Sequence, residues 1–455
     1  MMSKVYQIDN HDEAYQIWMD NGIHNAVLFH IDAHKDFITE KCEYITIGNF
    51  LNYAWDKGLI NTIVWIIPTP SFLCANILAQ LIEEMEVNFT LVDQSKRMLK
   101  FVMNSHRVNE VIITTMPNIS FVEESLSSDI PVLVDIDIDY FVNPYVHRTY
   151  SNDYPNSFWT KSESVYQAIQ SLVSKCDLIT IAKSIYGGYT PLLFSFISDQ
   201  LYAMLVNQTD YIQEYVYLEK AIELLNMHNY IEASKLFEKV IHYPNCYLSA
   251  ITGLLYSNLF SGRTDKVRKY YSDLLTGYPQ YEPYFFPVHP MLKSDHFVQA
   301  EQLIDSWLHI SPESNQANLY KVKVFSCSSC YFKMGYQLYL DKIDDEETKS
   351  EKSYVMADYY LKLHLYNESI ECCEKVLAYL KNNDSPLWVG QISSYESRKN
   401  HGNILAFLFE KMAIAYYKSG DFKCAQKYAL MCKKIGYKNQ NPQAIINTVL
   451  EKRTS

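Results

Sequence analysis

The sequence predicts an α/β domain on a mainly parallel sheet, followed by an all-α helical repeat domain. Three observations carry this. Up to about residue 205, short apolar runs alternate with helical patterns. Two of those runs end in clusters of acids, at Asp32-Ala33-His34-Lys35-Asp36 and at Asp135-Ile136-Asp137-Ile138-Asp139. From residue 206 the chain becomes helical throughout and repeats itself. The expected domains are therefore 1–205 and 206–455.

In the first domain the strand candidates are 26–31, 62–67, 88–92, 110–114, 131–138 and 178–183. The helix candidates are 11–20, 48–57, 72–85, 161–174 and 191–205. Such alternation predicts a parallel sheet covered on both faces. In sheets of that kind ligands bind beyond the carboxyl ends of the strands. Both acidic clusters fall at those ends.

A chain of 455 residues suits two or three domains, and with 48% apolar residues it can bury a sizeable core. No run of 18 apolar residues occurs, so no membrane span is expected. The N-terminus has no apolar core of a secretory signal. Ten scattered cysteines then read as reduced thiols, and Cys327/Cys330 and Cys372-Cys373 lack partners at zinc-finger spacing. Cytoplasmic residence is the expectation. A net charge of −12 argues against nucleic acid as a partner. The 38 tyrosines, concentrated in the second half, read as interhelical packing with a polar tip at the surface.

The repeat is carried by Asn229 to Pro244, Gly262 to Pro279 and Asp295 to Pro312, with prolines 35 and 33 residues apart. Later copies begin at Leu365-Tyr366-Asn367 and Ser419-Gly420-Asp421. Each is a short turn followed by a small or apolar residue where two helices touch. The segment Asp344-Asp345-Glu346-Glu347 reads as an exposed acidic loop. The spacing resembles that of tetratricopeptide repeats, whose stacked helix pairs form a concave surface that holds a peptide or protein.

The acidic clusters point to metal chemistry. On an extended chain, side chains at i, i+2 and i+4 share a face. Asp32, His34 and Asp36 can then converge where their strand ends, and so can the acids of the second cluster. Crowded carboxylates repel one another unless a cation compensates. Clustered carboxylates with an imidazole and no thiolate form a hard, oxygen-rich set that suits Mn²⁺ better than Zn²⁺. Two adjacent ions need bridging carboxylates, and the pKa of water they share falls towards ~7.

Asp32-Ala33-His34-Lys35-Asp36 resembles the Asp-Ala-His-x-Asp signature of the ureohydrolases, the arginase and agmatinase superfamily. Asn10-His11-Asp12-Glu13 precedes it at about the distance of that superfamily's first histidine ligand. Gly48-Asn49-Phe50 follows it, where arginases carry a Gly-Asn element lining the substrate site. Asp137-Ile138-Asp139-Tyr140-Phe141 resembles the superfamily's Asp-x-Asp strand. Together with Thr180 to Ser184, these motifs look closest to the peptide arginases, which convert arginine to ornithine within ribosomally made precursor peptides.

The resemblance covers roughly residues 4–190 and implies an arginase-like three-layer α-β-α domain with two Mn²⁺ ions per chain. His11, Asp32, Asp36 and Asp137 would hold the first ion. Asp32, His34, Asp137 and Asp139 would hold the second. Asp36 is also assigned to catalysis, Gly48 and Asn49 to substrate binding, and Asp135 to orienting a ligand. The implied partner is an arginine-containing precursor peptide held by the repeats; the oligomeric state is left open.

The sequence departs from arginases in three ways. Their proton-shuttling histidine after Gly-Asn is replaced by Leu51 and Asn52; His147, on the loop after the second acidic strand, is a candidate substitute. No acid stands near 180–184 to anchor a guanidinium. Elements that recognise a free α-amino acid are not recognisable, which fits a substrate inside a peptide. Two other functions compete. One is a single-zinc deacetylase or amidohydrolase of the same fold, disfavoured because no His-His pair occurs. The other is a non-enzymatic repeat protein. His24, His106 and His147 otherwise read as ordinary histidines.

Overall fold

The computed structural model describes residues 4–37, 45, 47–104, 109–124, 130–146, 157–186, 189–206, 212–293, 296–327, 339, 342–343, 346–382 and 404–434. Among the described residues eight strands form one sheet: β1 (Lys4–Ile8), β2 (Ala26–Ile31), β3 (Ile60–Ile66), β4 (Phe89–Gln94), β5 (Met98–Met103), β6 (Glu110–Thr114), β7 (Val132–Asp137) and β8 (Leu178–Ala182). Their spatial order is β1-β8-β7-β2-β3-β6-β5-β4. Pairing is parallel from β1 through β6, and β5 and β4 add an antiparallel edge.

All six expected strands form, with ends shifted by up to two residues. β1 and β5 were not foreseen. Both are short, mixed in polarity and at least partly exposed, because they lie at or near the rims of the sheet. β2, inside the sheet, and β8, one strand in from its edge, are buried along their whole length. That is what a parallel sheet covered on both faces requires. The core joins Leu28, Ile63, Trp65, Leu133 and Leu178 of the sheet to Trp18, Phe50 and Trp55 of the helices Glu13–Asp20 and Phe50–Asp56.

The order of the strands sets the site. From β2 the chain moves outward to β3 and on to the edge strand β4, works back through β5 to β6 beside β3, and then crosses so that β7 pairs on the other side of β2. In open α/β sheets ligands bind at such a reversal, beyond the carboxyl ends of the flanking strands, here β2 and β7. Leu28 stands opposite Leu133 and His30 opposite Asp135. Continued one step past Ile31 and Ile136, that register sets Asp32 beside Asp137.

From Ile212 onward every described element is helical. The expected turns fall between helices: Asn229 precedes Tyr230–Val240, Arg263 precedes Thr264–Gly277, and His296 precedes Phe297–Ile310. The helices Tyr366–Asn382 and Phe422–Lys434 open at the last two turns. Ala233, Val267, Ala300, Ile370 and Ala425, which follow the turns, are buried. Pro244 opens the helix Pro244–Phe260, where its missing N–H costs nothing. Glu346, read as loop, instead starts the helix Glu346–Lys362; acids are favoured in a first helical turn. Asp295, Cys330, Asp344 and Asp345 lie outside the described residues.

The chain divides into two compact units, the first made mainly of residues up to Pro290 and the second mainly of residues from Met291 on. The first helices of the repeat region thus belong to the same unit as the sheet and bond to helices that flank it. Ser249 bonds the Phe196 backbone N–H at 3.0 Å, and Glu219 accepts from Lys161 and Gln200. Cys74, Cys176, Cys246, Cys372, Cys373, Cys424 and Cys432 are free thiols. Among the described residues no helix is long and apolar enough to cross a membrane.

Candidate metal centre

β2 ends at Ile31, so Asp32, His34 and Asp36 do not converge along a pleated strand as the alternation predicts. They converge through a turn. The His34 backbone N–H donates to Asp32 Oδ1 at 2.6 Å. Asp36 takes a left-handed conformation with φ of 47°. Asp is among the few residues that tolerate this, and such strain concentrates at functional sites. β7 repeats the device: the Asp139 backbone N–H donates to Asp137 Oδ1 at 2.9 Å as Asp139 opens the short helix Asp139–Val142. Neighbouring strands thus end in matching turns.

His11 arrives from the end of β1, just before the helix Glu13–Asp20. Its Nδ1 lies 2.8 Å from Asp36 Oδ2, 3.1 Å from Asp137 Oδ2 and 3.3 Å from Asp32 Oδ2. His34 Nδ1 lies 2.7 Å from Asp139 Oδ2 and 3.5 Å from Asp32 Oδ1. Asp32 therefore turns one oxygen to each group. The structure brings all six expected ligands together as two donor sets sharing this carboxylate.

Asp135 stands behind His11 and accepts from its Nε2–H at 2.6 Å, which leaves Nδ1 facing the acids. Thr180 donates its hydroxyl to the other Asp135 oxygen, and Ser184 donates to Asp137 Oδ2 at 2.7 Å. The end of β8 is thus occupied in orienting carboxylates. Ser184 is also left-handed, with φ of 52°. Phe50 packs its ring 4.9 Å from that of His11, and the edge of Tyr189 meets His34 at 4.6 Å.

Asn49 is buried and stands at the start of the helix whose Phe50 packs on His11. Around Gly48 there is open space. His34 is 25% and Asp36 11% exposed, while the other ligands are almost fully enclosed; the site therefore opens on their side. His24 is exposed. His147 and His106 lie outside the described residues.

One participant was not foreseen. His30, on β2, is fully buried and places Nδ1 3.0 Å from Asp135 Oδ2 and Nε2 3.3 Å from Asp32 Oδ2. The signal lay in the sequence, since His30 continues the i, i+2 alternation of Asp32, His34 and Asp36 by one step toward the N-terminus.

Five carboxylates face three imidazoles in this enclosed space, and burial together with their mutual charges sets their titration. Burial, with Asp139 and Asp32 nearby, pushes Asp137 up to about 7. Burial and Asp32 likewise raise Asp36. Burial opposes protonation of His11 and His34, but Asp135 and Asp137 raise the first and Asp139 and Asp32 the second. Burial also opposes ionisation of Asp32 and Asp135, and their imidazole neighbours still hold both well below the usual carboxylate range.

The residues fit a divalent metal pair. His11 Nδ1 and Asp32 Oδ2 are buried without a hydrogen bond. Ligands at right angles on ~2.1 Å bonds lie about 3 Å apart, close to the separations around His11. Donor atoms of Asp32, His34 and Asp139 lie within 4.8 Å of one another. The donors are oxygen and imidazole nitrogen, a set suited to Mn²⁺.

Compared with known proteins, the chain matches no family model and no curated relative.

Proposed function

We propose that this chain is a metal-dependent hydrolase with a dinuclear centre at the carboxyl ends of β2 and β7. Within that class we read it as an enzyme of peptidyl arginine with an arginase-like α/β domain, releasing urea and leaving ornithine. The observation that carries the reading is the Asp32 carboxylate, with one oxygen towards His11 and the other towards His34. A shared carboxylate between two donor sets fits two ions better than one. The single-zinc deacetylase reading is weaker on the same ground.

Two divalent ions held by His11, Asp32, Asp36, Asp137, His34 and Asp139 would supply Lewis acidity and lower the pKa of coordinated water towards ~7. The chain's own groups prepare that centre. Asp135 keeps the His11 proton on Nε2, and Ser184 and the Asp139 N–H hold the Asp137 carboxylate in place. Asp36 and His34 stand at the open side, where a side chain entering from solvent arrives first.

Arginine is the reading because the ligand motifs resemble those of peptide arginases. The lack of elements for a free α-amino acid supports a peptide over free arginine. The helical repeats, tetratricopeptide-like in spacing, supply a surface suited to the precursor. The test is to load the full chain with Mn²⁺ and incubate it with a capped arginyl peptide and with free arginine. The expected result is urea in equal amount to peptide lighter by CH₂N₂, with the peptide preferred. Two bound ions with no urea from any arginyl peptide would sink the substrate assignment.

A further inference from the structure

His30 lies two residues before Asp32 on the same face of β2. Its Nδ1 is hydrogen-bonded to Asp135 Oδ2 at 3.0 Å. An ionised carboxylate only accepts, so Nδ1 carries the proton and the neutral ring keeps its lone pair on Nε2. That Nε2 is buried and makes no hydrogen bond. His11 mirrors the arrangement. Its Nε2–H donates to the same Asp135 oxygen at 2.6 Å, and its Nδ1 makes no hydrogen bond. The two rings stack with centroids 5.3 Å apart at 29°.

The two nitrogens have one neighbour in common, Asp32 Oδ2, although His11 Nδ1 also lies 2.8 Å from Asp36 Oδ2 and 3.1 Å from Asp137 Oδ2. His11 Nδ1 and His30 Nε2 each lie 3.3 Å from Asp32 Oδ2. Two lone pairs and a carboxylate oxygen repel when nothing lies between them, and all three are donors to a cation. One ligating atom from each of His11, His30 and Asp32 falls within 4.8 Å of the others. An imidazolium at His30 would instead donate Nε2–H to Asp32, and the pair does not have hydrogen-bond geometry.

We infer that His30 Nε2 is a further ligand of the first metal position, and that Asp135 is a positioning residue setting the tautomer of two ligating imidazoles at once. The first position then has two nitrogen donors, where the resemblance implies one. This rests on the metal-centre half of the proposed function and not on arginine as the substrate.

Substitution of Co²⁺ into full-length chain labelled with ¹⁵N-histidine tests it by NMR. Each ligating ring carries its second N–H to Asp135, buried and protected from exchange. The expected result is two strongly hyperfine-shifted, slowly exchanging imidazole N–H signals from the first position. His30→Gln should remove one of them. It should also weaken binding of the first ion by at least the roughly 10–100-fold typical of a lost orienting partner. One signal in the unsubstituted chain would overturn the inference, whether or not the variant folds. So would a folded variant with unchanged signals and Co²⁺ affinity. A chain that binds no Co²⁺ would overturn both this inference and the metal centre. Two signals in a protein that releases no urea from capped arginine would support the inference and defeat only the substrate reading.

Discussion

His30 on β2 stands directly across from Asp135 on β7, with its Nδ1 3.0 Å from the carboxylate. The two are 105 residues apart in the chain. Parallel pairing alone joins them, and the same register carries Asp32 to Asp137 one turn later. A centre built this way is held by backbone ladders beneath it. Its ligands are therefore sensitive to small changes in the groups that orient them, while the fold around them has support of its own.

Asp137→Ala removes a carboxylate on which the His11 set relies. Elemental analysis should find fewer than two Mn²⁺ per chain. Urea release should fall by more than the 10–100-fold or so expected from losing an orienting group. Full metal content with undiminished turnover would remove Asp137 from the centre.

Asp135→Asn keeps the shape but turns an acceptor into a group that also donates. His11 and His30 then lose the partner that keeps their protons away from the acids. Calorimetric titration should show Mn²⁺ affinity lower by about 10–100-fold, with the protein still folded. Thr180→Val, which removes only the hydroxyl behind Asp135, should have a smaller effect. Equal affinities in all three proteins would show that Asp135 orients nothing.

Stability of the metal-free protein should fall as pH rises from 5 to 8. Asp137 titrates at about 7 in the fold against an ordinary 3.8. Its contribution is present below the lower value and is lost as pH climbs through the higher one. His11 and His34, also raised, act in the same direction above 6.5. Asp32 and Asp135, lowered, act in the opposite sense, but only as pH falls below 3.8. Mn²⁺ competes with those protons, so the gain in melting temperature on adding it should widen towards pH 8. Melting curves with Mn²⁺ or with chelator measure this; a gap that narrows with pH would contradict it.

Gly253→Ala tests the scaffold separately. A methyl group there would collide with the ring of Phe237, where the helices Tyr230–Val240 and Pro244–Phe260 meet. Overpacking of this kind costs about 1–3 kcal/mol. Thermal unfolding should shift downward while the folded protein keeps its full Mn²⁺ content. Loss of metal from the folded variant would mean the helices support the centre directly.

The legible part of the fold is the part with strong local pattern. β2, β7 and β8 are continuous apolar runs buried on both faces, and such runs stand out. β1 and β5 do not, because Lys4-Val5-Tyr6-Gln7-Ile8 and Met98 to Met103 mix polar and apolar residues as rim strands do. The candidate ligands were legible because closely spaced acids at strand ends demand compensation. How they converge was not: periodicity describes straight strands, and here two side-chain-to-backbone turns and a left-handed Asp36 do the work.

By itself, then, the sequence determined which segments are strands and helices over most of the chain, and which acids and histidines are available at strand ends. These are local properties, carried by neighbours a few residues apart. Only the tertiary structure decided that β7 returns to the side of β2 away from β3. That choice makes one centre from two distant clusters and draws His30 into it. Strand order reflects long-range packing and the reversal of chain direction across the sheet, and no local pattern encodes it.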